Sequence, residues 1–277
     1  MQHSDLGEAL AARFSDAPAP PQALGTDAAL ARLATRGSCR SFADRAVDPG
    51  LIDTLCALAL CAPTKSDLQQ RDIVIIDDPA LLGAVKERLA DQPWTQGAPL
   101  MLAFCANNRR QRQVHAWRDR PFANDHLDAF FNASVDAGIA LSAFVIAAEA
   151  AGLGTCPISA FRNQPGAISD LLGLPEHVFV AAGLAVGYPA APPPLSPRLP
   201  LSVTVHRNRF DETGLEAAVA GYDAHRAAVQ PYAQQRGVDA FGTADPYTWS
   251  EDKARQYSRP ERADFGAFVR AKGFCLD

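Results

Sequence analysis

Residues 125–152 read DHLDAFFNASVDAGIALSAFVIAAEAAG, the longest periodic segment in the chain. Apolar and small residues recur there at helical spacing, which predicts one long helix. Its wealth of Ala, Gly and Ser lets neighbours pack closely on several sides. That suits a central helix or a dimer interface. Gly152-Leu153-Gly154 then closes the helix with a left-handed cap. Downstream the pattern predicts a short strand, a helix over 164–174 (QPGAISDLLGL) and a strand over 177–189 (HVFVAAGLAVGYP). Upstream it predicts strands DIVIID (72–77) and PLMLAFCA (99–106), with Pro79 opening a helix between them. Asp48-Pro49-Gly50 starts a further helix, apolar almost all round, that Pro63 stops. Thr26-Asp27 offers a start for AALARLATR (28–36). The polar stretch NNRRQRQVHAWRDRPF (107–122) reads as a loop or lid. Helices outnumber strands in this order, and the expected class is an α+β sandwich.

The termini read differently. Residues 1–26 form a leader ending in DAPAPPQALG, a linker or extended arm. The core spans 27–210 and closes with the proline-rich AAPPPLSPRLP (190–200), which holds an extended course. Residues 211–277 are polar and partly helical, more like an arm wrapped on something than an independent core.

Composition narrows the function. The chain has 277 residues, 48% of them hydrophobic, enough for a sizeable core. A net charge of −5 gives no basic face for nucleic acid. No apolar run of about 20 residues announces a spanning helix, so no membrane partner is expected. The N-terminus lacks the pattern of a secretory signal. The six cysteines form no C-x-x-C pair, and they read as reduced structural thiols of a cytoplasmic protein. The six histidines are scattered and no HExxH occurs, so no metal is expected. Nor does the chain carry a GxGxxG after a strand, a GxxxxGK[ST] or a GxSxG.

Four clusters remain as candidates for chemistry. In Arg36-Gly37-Ser38-Cys39-Arg40-Ser41-Phe42, alternate residues of an extended segment share a side, so Arg36, Ser38 and Arg40 are positioned to meet one anion. Alone, the cluster reads equally as a surface arginine pair. Ala62-Pro63-Thr64-Lys65-Ser66-Asp67-Leu68-Gln69 follows the apolar helix and offers polar groups to the edge of a flat heterocycle, or is an ordinary capped turn. The small residues of Gly152 to Ala160 let backbone approach a ligand, or simply make a compact turn. Arg198 is framed by Pro197 and Pro200, which suits a fixed phosphate ligand or a solvent-facing linker residue.

Taken in order, these clusters resemble the nitroreductase / flavin reductase family. Its R-x-S-x-R-x-F opening matches Arg36, Ser38, Arg40 and Phe42. Its A-P-S-S-x-N-L-Q loop resembles Ala62 to Gln69, and its A-A-E-x-x-G-L-G turn matches Ala147 to Gly154. Its tail, G-Y-P then K-P-R-L-P then V-H-x-N-R-Y/F, looks like Gly187 to Pro189, Ser196 to Pro200 and Val205 to Phe210. Trp249-Ser250, Arg259, Arg262 and Gly273-Phe274 also resemble the larger, NADPH-preferring branch.

The resemblance implies a central, mostly antiparallel sheet flanked by helices in an intertwined homodimer. It implies FMN at the interface, with NADPH or NADH as reductant and a flat small-molecule acceptor such as a nitroaromatic, quinone or flavin. Arg36, Ser38, Arg40 and Arg198 would hold the phosphate and ribityl region. Thr64, Ser66, Asp67 and Gln69 would reach the flavin from the partner chain. Gln92 falls at an FMN-contacting position, and Pro157, Ile158, Ser159 and Ala160 would lie against the ring near N5. Lys65, Ser66 and Arg262 would meet the substrate. The cofactor carries the redox step, so no side-chain acid or base is assigned. Departures from the family pattern are Gly37 and Ser196 where cations are common, Thr64-Lys65 for a serine pair, and Asp67 for Asn. The loop from Arg236 to Trp249 lacks the arginine pair expected for NADPH. Two rival expectations are an FMN-dependent dehalogenase or flavin-cleaving enzyme, and a non-catalytic dimer that has lost FMN.

Overall fold

The computed structural model describes residues 5–21, 24 and 28–277; the helix start expected at Thr26-Asp27 lies outside them. Chain order gives α1 (Leu6–Ala11), α2 (Ala28–Thr35), α3 (Pro49–Leu60), β1 (Arg71–Ile76) and α4 (Pro79–Arg88). Then come β2 (Leu100–Asn107), α5 (Arg109–Trp117), α6 (Leu127–Ala150), β3 (Gly154–Ile158), α7 (Pro165–Leu171) and β4 (Val178–Gly187). The tail carries α8 (Leu201–Thr204), α9 (Leu215–Val229), α10 (Val238–Phe241), α11 (Trp249–Tyr257) and α12 (Phe265–Ala271). The chain divides into two compact units, one of residues 1–37 with 194–261, the other of 38–193 with 262–277.

The second unit holds a four-stranded sheet in the order β1-β2-β4-β3, every pairing antiparallel. Both faces are covered, which is why β2 reads as a continuous apolar run and not as an alternation. Leu100, Leu102 and Phe104 join Leu184 and Val186 beneath Ile52, Leu55 and Ala59 of α3 and Ala140, Phe144 and Ala148 of α6. Met101, Ala103 and Cys105 point the other way, against Leu82 and Val85 of α4 and Ile168 of α7. Each such fully buried Leu, Ile or Phe contributes about 1.5–3 kcal/mol. At one end Phe130 stacks on Phe179, and Phe274 meets both rings edge-on; with Val269 of α12 they seat residues 262–277 in this unit.

The helix starts follow the capping residues. The carboxylate of Asp48 accepts from Leu51 N–H and that of Asp78 from Leu81 N–H, each with Pro in the first turn. Gly152 takes φ +84 just past α6, the left-handed stop its sequence called for.

Three readings of the sequence are corrected. The Arg-rich stretch expected as a loop or lid contains a helix, α5. It has no apolar stripe; polar contacts hold it, among them Arg110 with Asp72 and a forked Arg112–Asp125 pair. The leader is not all linker, since α1 forms within it on an Asp5 cap. And α6 is long and apolar enough, by length and composition, to cross a membrane, although no such run was read in the sequence. Its apolar character is used in the core, where Ala133, Ala137, Ala140, Phe144 and Ala148 are buried.

Candidate functional site

Within the second unit, three segments of the predicted site lie at separate places on the sheet: 38–43 at the Gly154–Gly187 end of its β3 edge, the 64–70 loop at the opposite, Arg71–Ala106 end of its β1 edge, and the turn that follows β3. The first is 38–43. Cys39 N–H donates to Thr155 O of β3 at 2.8 Å, Ala43 N–H donates to Tyr188 O at 2.8 Å, and Phe42 bridges to Pro189. Cys39 is buried, while Ser38 is half-buried and Arg40 exposed, so Ser38 and Arg40 alternate about it as the extended reading required. This approach needs Gly154: a Cβ there would lie 2.6 Å from Cys39 Sγ. Arg40 stands over the Trp94 ring at 5.8 Å, and Trp94 Nε1 donates to Gln92 Oε1 at 3.4 Å. The indole thus joins two of the predicted residues.

The second segment is the 64–70 loop. Ser66, Asp67 and Gln69 all have left-handed φ, at 49°, 54° and 51°. Such a run of non-glycine residues persists only where its surroundings over-determine it. Asp136 of α6, fully buried, does this: it accepts from the Thr64 hydroxyl and from the N–H groups of Lys65 and Gln70, both at 3.0 Å. Thr64 Oγ1 in turn accepts from Gln69 N–H at 2.9 Å. Arg71 Nη1 lies 3.8 Å from Asp136, and Arg71 Nη2 donates to Leu60 O at 2.8 Å and Ala62 O at 2.9 Å, tying the loop to the end of α3. From the other side Arg110 Nη1 donates to Gln69 O at 2.7 Å, and Gln111 Nε2 to Leu68 O at 2.9 Å. Lys65, Ser66, Asp67 and Gln69 are left exposed on this fixed backbone, with Asp67 Oδ1 accepting from Gln69 Nε2 at 3.1 Å.

The third segment is the edge strand β3 and the 3₁₀ turn Ser159–Arg162 that follows it. Pro157 and Ser159 are exposed, whereas Ile158 and Ala160 are buried in the core, so the four do not present one surface of side chains. Arg262 reaches Asn163, next to this turn, at 3.1 Å.

The remaining two predicted residues belong to the first unit. Arg36 and Arg198 line one cavity of about 360 Å³, together with Arg13 and an apolar wall of Leu6, Leu10, Phe14, Leu30 and Leu33. Arg36 and Arg198 thus flank a mostly apolar wall; a guanidinium is the side chain that takes forked bonds to phosphate oxygens.

Sequence reasoning missed Asp136, Arg71 and Arg13. Asp136 left a signal: it is an acid on the same helix face as Ala133, Ala137 and Ala140. Electrostatics fit a scaffold more than a reactive centre. Hydrogen bonding from Arg112 holds the Asp125 carboxyl below its ordinary range. Burial pushes the thiols of Cys56 and Cys105 up to about 11 and about 12, so they stay protonated. All six cysteines are free, and among the described residues no group of His, Cys, Asp and Glu is arranged for a metal.

Comparison with known proteins covers both units. Residues 33–188 match the nitroreductase family model, and 196–277 match that of the nitroreductase family C-terminal domain. An FMN reductase (NAD(P)H) of Bacillus subtilis is 30% identical over 248 residues, 88% of this chain and 97% of the relative. An NADPH-flavin oxidoreductase of Vibrio harveyi is 28% identical, over 85% of this chain and 93% of its own. Among solved structures, NfrA2 of B. megaterium has a TM-score of 0.81 at 31% identity, covering 90% of this chain and 98% of that one. The NADPH:FMN oxidoreductase of Vibrio harveyi, complexed with NAD+, has a TM-score of 0.76 at 25% identity, with 88% and 97% covered. An antiparallel sheet with this loop, turn and arginine pair, matched over nearly its whole length, leads to one assignment: the chain belongs to the nitroreductase family.

Proposed function

We propose that the protein is an FMN-dependent oxidoreductase that passes hydride from NAD(P)H to flat small-molecule acceptors, working as a homodimer. The observation that carries this reading is the placement of Arg36 and Arg198, far apart in sequence, on one cavity whose wall is otherwise mostly apolar. It stands in a chain whose relatives are named FMN reductase and NADPH-flavin oxidoreductase. When bound, FMN supplies the two-electron chemistry, with donor and acceptor taking turns at one open site in a ping-pong cycle.

The chain's own residues bind and orient. Arg36 and Arg198, with Ser38 and Arg40, hold the phosphate and ribityl region. Thr64, Ser66, Asp67 and Gln69 meet the flavin from the partner chain, on a loop that Asp136 keeps rigid, and Gln92 adds an amide. Pro157, Ile158, Ser159 and Ala160 offer backbone to the ring; their alternating burial supports main-chain contact over side-chain contact. Lys65, Ser66 and Arg262 receive the substrate, and Lys65 favours an anionic one. No side chain is needed as acid or base.

The homodimer rests on α6. Its buried face is matched by an exposed stripe of Leu127, Phe131, Val135 and Ile146, with Phe131 60% and Ile146 45% exposed, and small Gly138 and Ser142 between them. An apolar stripe of this kind marks an interface. The six free thiols support a reducing, cytoplasmic setting.

The test is the visible spectrum of the purified protein, followed by anaerobic addition of NADPH and NADH. Bleaching of a bound flavin band by either is the expected result. A bound flavin that neither reduces would favour the dehalogenase or flavin-cleaving reading. A protein that takes up no FMN on reconstitution would refute the proposal. Sedimentation of the wild type and Phe131→Glu tests the dimer: the wild type is expected to be dimeric and the variant to dissociate.

A further inference from the structure

We propose that Arg13, in the N-terminal arm, is a positioning residue for the FMN phosphate, clamping together the two segments that carry Arg36 and Arg198. The inference rests on the FMN reading above. Arg13 lies before residue 33, where the family match begins.

The geometry is that of a bracket. Arg13 is only 5% exposed, yet its guanidinium is spent on main-chain carbonyls. Nε donates to Ala34 O at 2.8 Å, Nη1 to Ser196 O at 2.9 Å, and Nη2 to Arg36 O. The carbonyls at 34 and 36 belong to the end of α2, whose last C=O groups lack partners within the helix. A cation there also meets the negative end of the helix dipole. In the reverse direction, Arg198 N–H donates to Arg13 O at 2.7 Å. Three residues on, the Asp16 carboxylate accepts from Leu201 N–H at 2.6 Å and Ser202 N–H at 2.8 Å, fixing the same proline-rich segment just beyond Arg198. One residue thus joins the main chain at 34–36 to that at 196–198, about 160 positions away in sequence.

The consequence is specific to an anion. Arg36, Arg198 and Arg13 line one cavity, and the mutual placement of the first two depends on the third. A planar guanidinium spreads five donors over three nitrogens in a fixed fork, whereas an ammonium's three donors radiate from one atom and do not reproduce that spread.

The test compares the affinities of the apoprotein for FMN and for riboflavin, which lacks the phosphate, by flavin fluorescence. The wild type is expected to prefer FMN. Arg13→Gln is expected to lower the FMN-to-riboflavin affinity ratio by about tenfold or more, because Arg36 and Arg198 lose the placement from which each bonds the phosphate. Arg13→Lys, which keeps the charge but not the fork, is expected to lose most of that preference too. A variant whose fold has failed loses both ligands together. An unchanged ratio in Arg13→Gln, with both affinities kept or both reduced equally, overturns the inference, as does full preference in Arg13→Lys. A wild type that binds neither flavin overturns the FMN reading itself, a distinct result.

Discussion

Replacing Asp136 with Ala should be the most damaging single change in the site, although Asp136 touches no ligand in the proposed scheme. The carboxylate accepts from the Thr64 hydroxyl and from two backbone N–H groups, and it lies 3.8 Å from Arg71, whose side chain is 4% exposed. Hydrogen bonds to a charged group contribute about 1.5–3 kcal/mol each, but they are not additive when they share one acceptor. The better guide is removal of one partner of a buried ion pair, which costs about 3–5 kcal/mol because the other charge stays buried. Here that other charge is Arg71, whose Nε and Nη1 are already enclosed without a hydrogen-bond partner. At roughly 2–4 °C per kcal/mol for a chain of this size, the expected fall in Tm is roughly 6–20 °C. Without Asp136, the left-handed conformations of Ser66, Asp67 and Gln69 lose the constraint that holds them, and FMN affinity should fall as well. Urea unfolding at fixed protein concentration and flavin fluorescence titration measure the two effects. Asp136→Asn keeps one acceptor oxygen and should lose less of both. A loss of under about 1 kcal/mol in Asp136→Ala, within the range of a surface substitution, would refute the claim that this carboxylate organises the loop.

Arg198→Ala should weaken FMN binding about ten- to hundredfold, the value of one or two charge-assisted bonds, and leave riboflavin affinity near the wild-type level; equal losses for both flavins would remove Arg198 from the phosphate site. Gly154→Ala places a Cβ 2.6 Å from Cys39 Sγ and 2.7 Å from its Cβ. Overpacking of this kind costs about 1–3 kcal/mol, and because it pushes 38–40 off β3, FMN affinity should drop in parallel with unfolding stability. Thiol titration should find Cys105 silent to alkylation in the folded protein at neutral pH, with exposed Cys61 reacting first. Burial raises Cys105 to about 12 from an ordinary 9.0, so the folded state favours the protonated thiol. Its contribution to stability is then full below pH 9 and is lost as pH rises toward about 12. Fast labelling of Cys105 under native conditions would contradict its burial.

What the sequence made legible was what periodicity and capping encode. The Ala-rich run became α6, and Asp-Pro pairs at 48–49 and 78–79 became helix starts, because an N-cap carboxylate and a first-turn proline act on their own few residues. Alternation about Cys39 was equally local. What stayed hidden were elements whose stability comes from polar partners distant in sequence. α5 carries Arg109, Arg110, Gln111, Arg112 and Gln113 with no buried residue, so its pattern resembles a solvated loop; its contacts run to Gln69, Asp72 and Asp125. Arg13 sat in a leader that reads as linker, since nothing near it in sequence foretells carbonyls at 34, 36 and 196. Asp136 is the instructive intermediate. Spacing alone puts it on the same face as Ala133, Ala137 and Ala140, and a carboxylate placed there must be paired or the helix could not pack. The correct inference from the sequence was therefore available: one acid on an apolar face implies a polar loop beneath it. The nearest candidate was the Thr64–Gln69 cluster, already singled out for its own hydroxyls and amides. Motif and buried charge are two halves of one device, in which the helix makes the loop rigid and the loop in turn neutralises the helix.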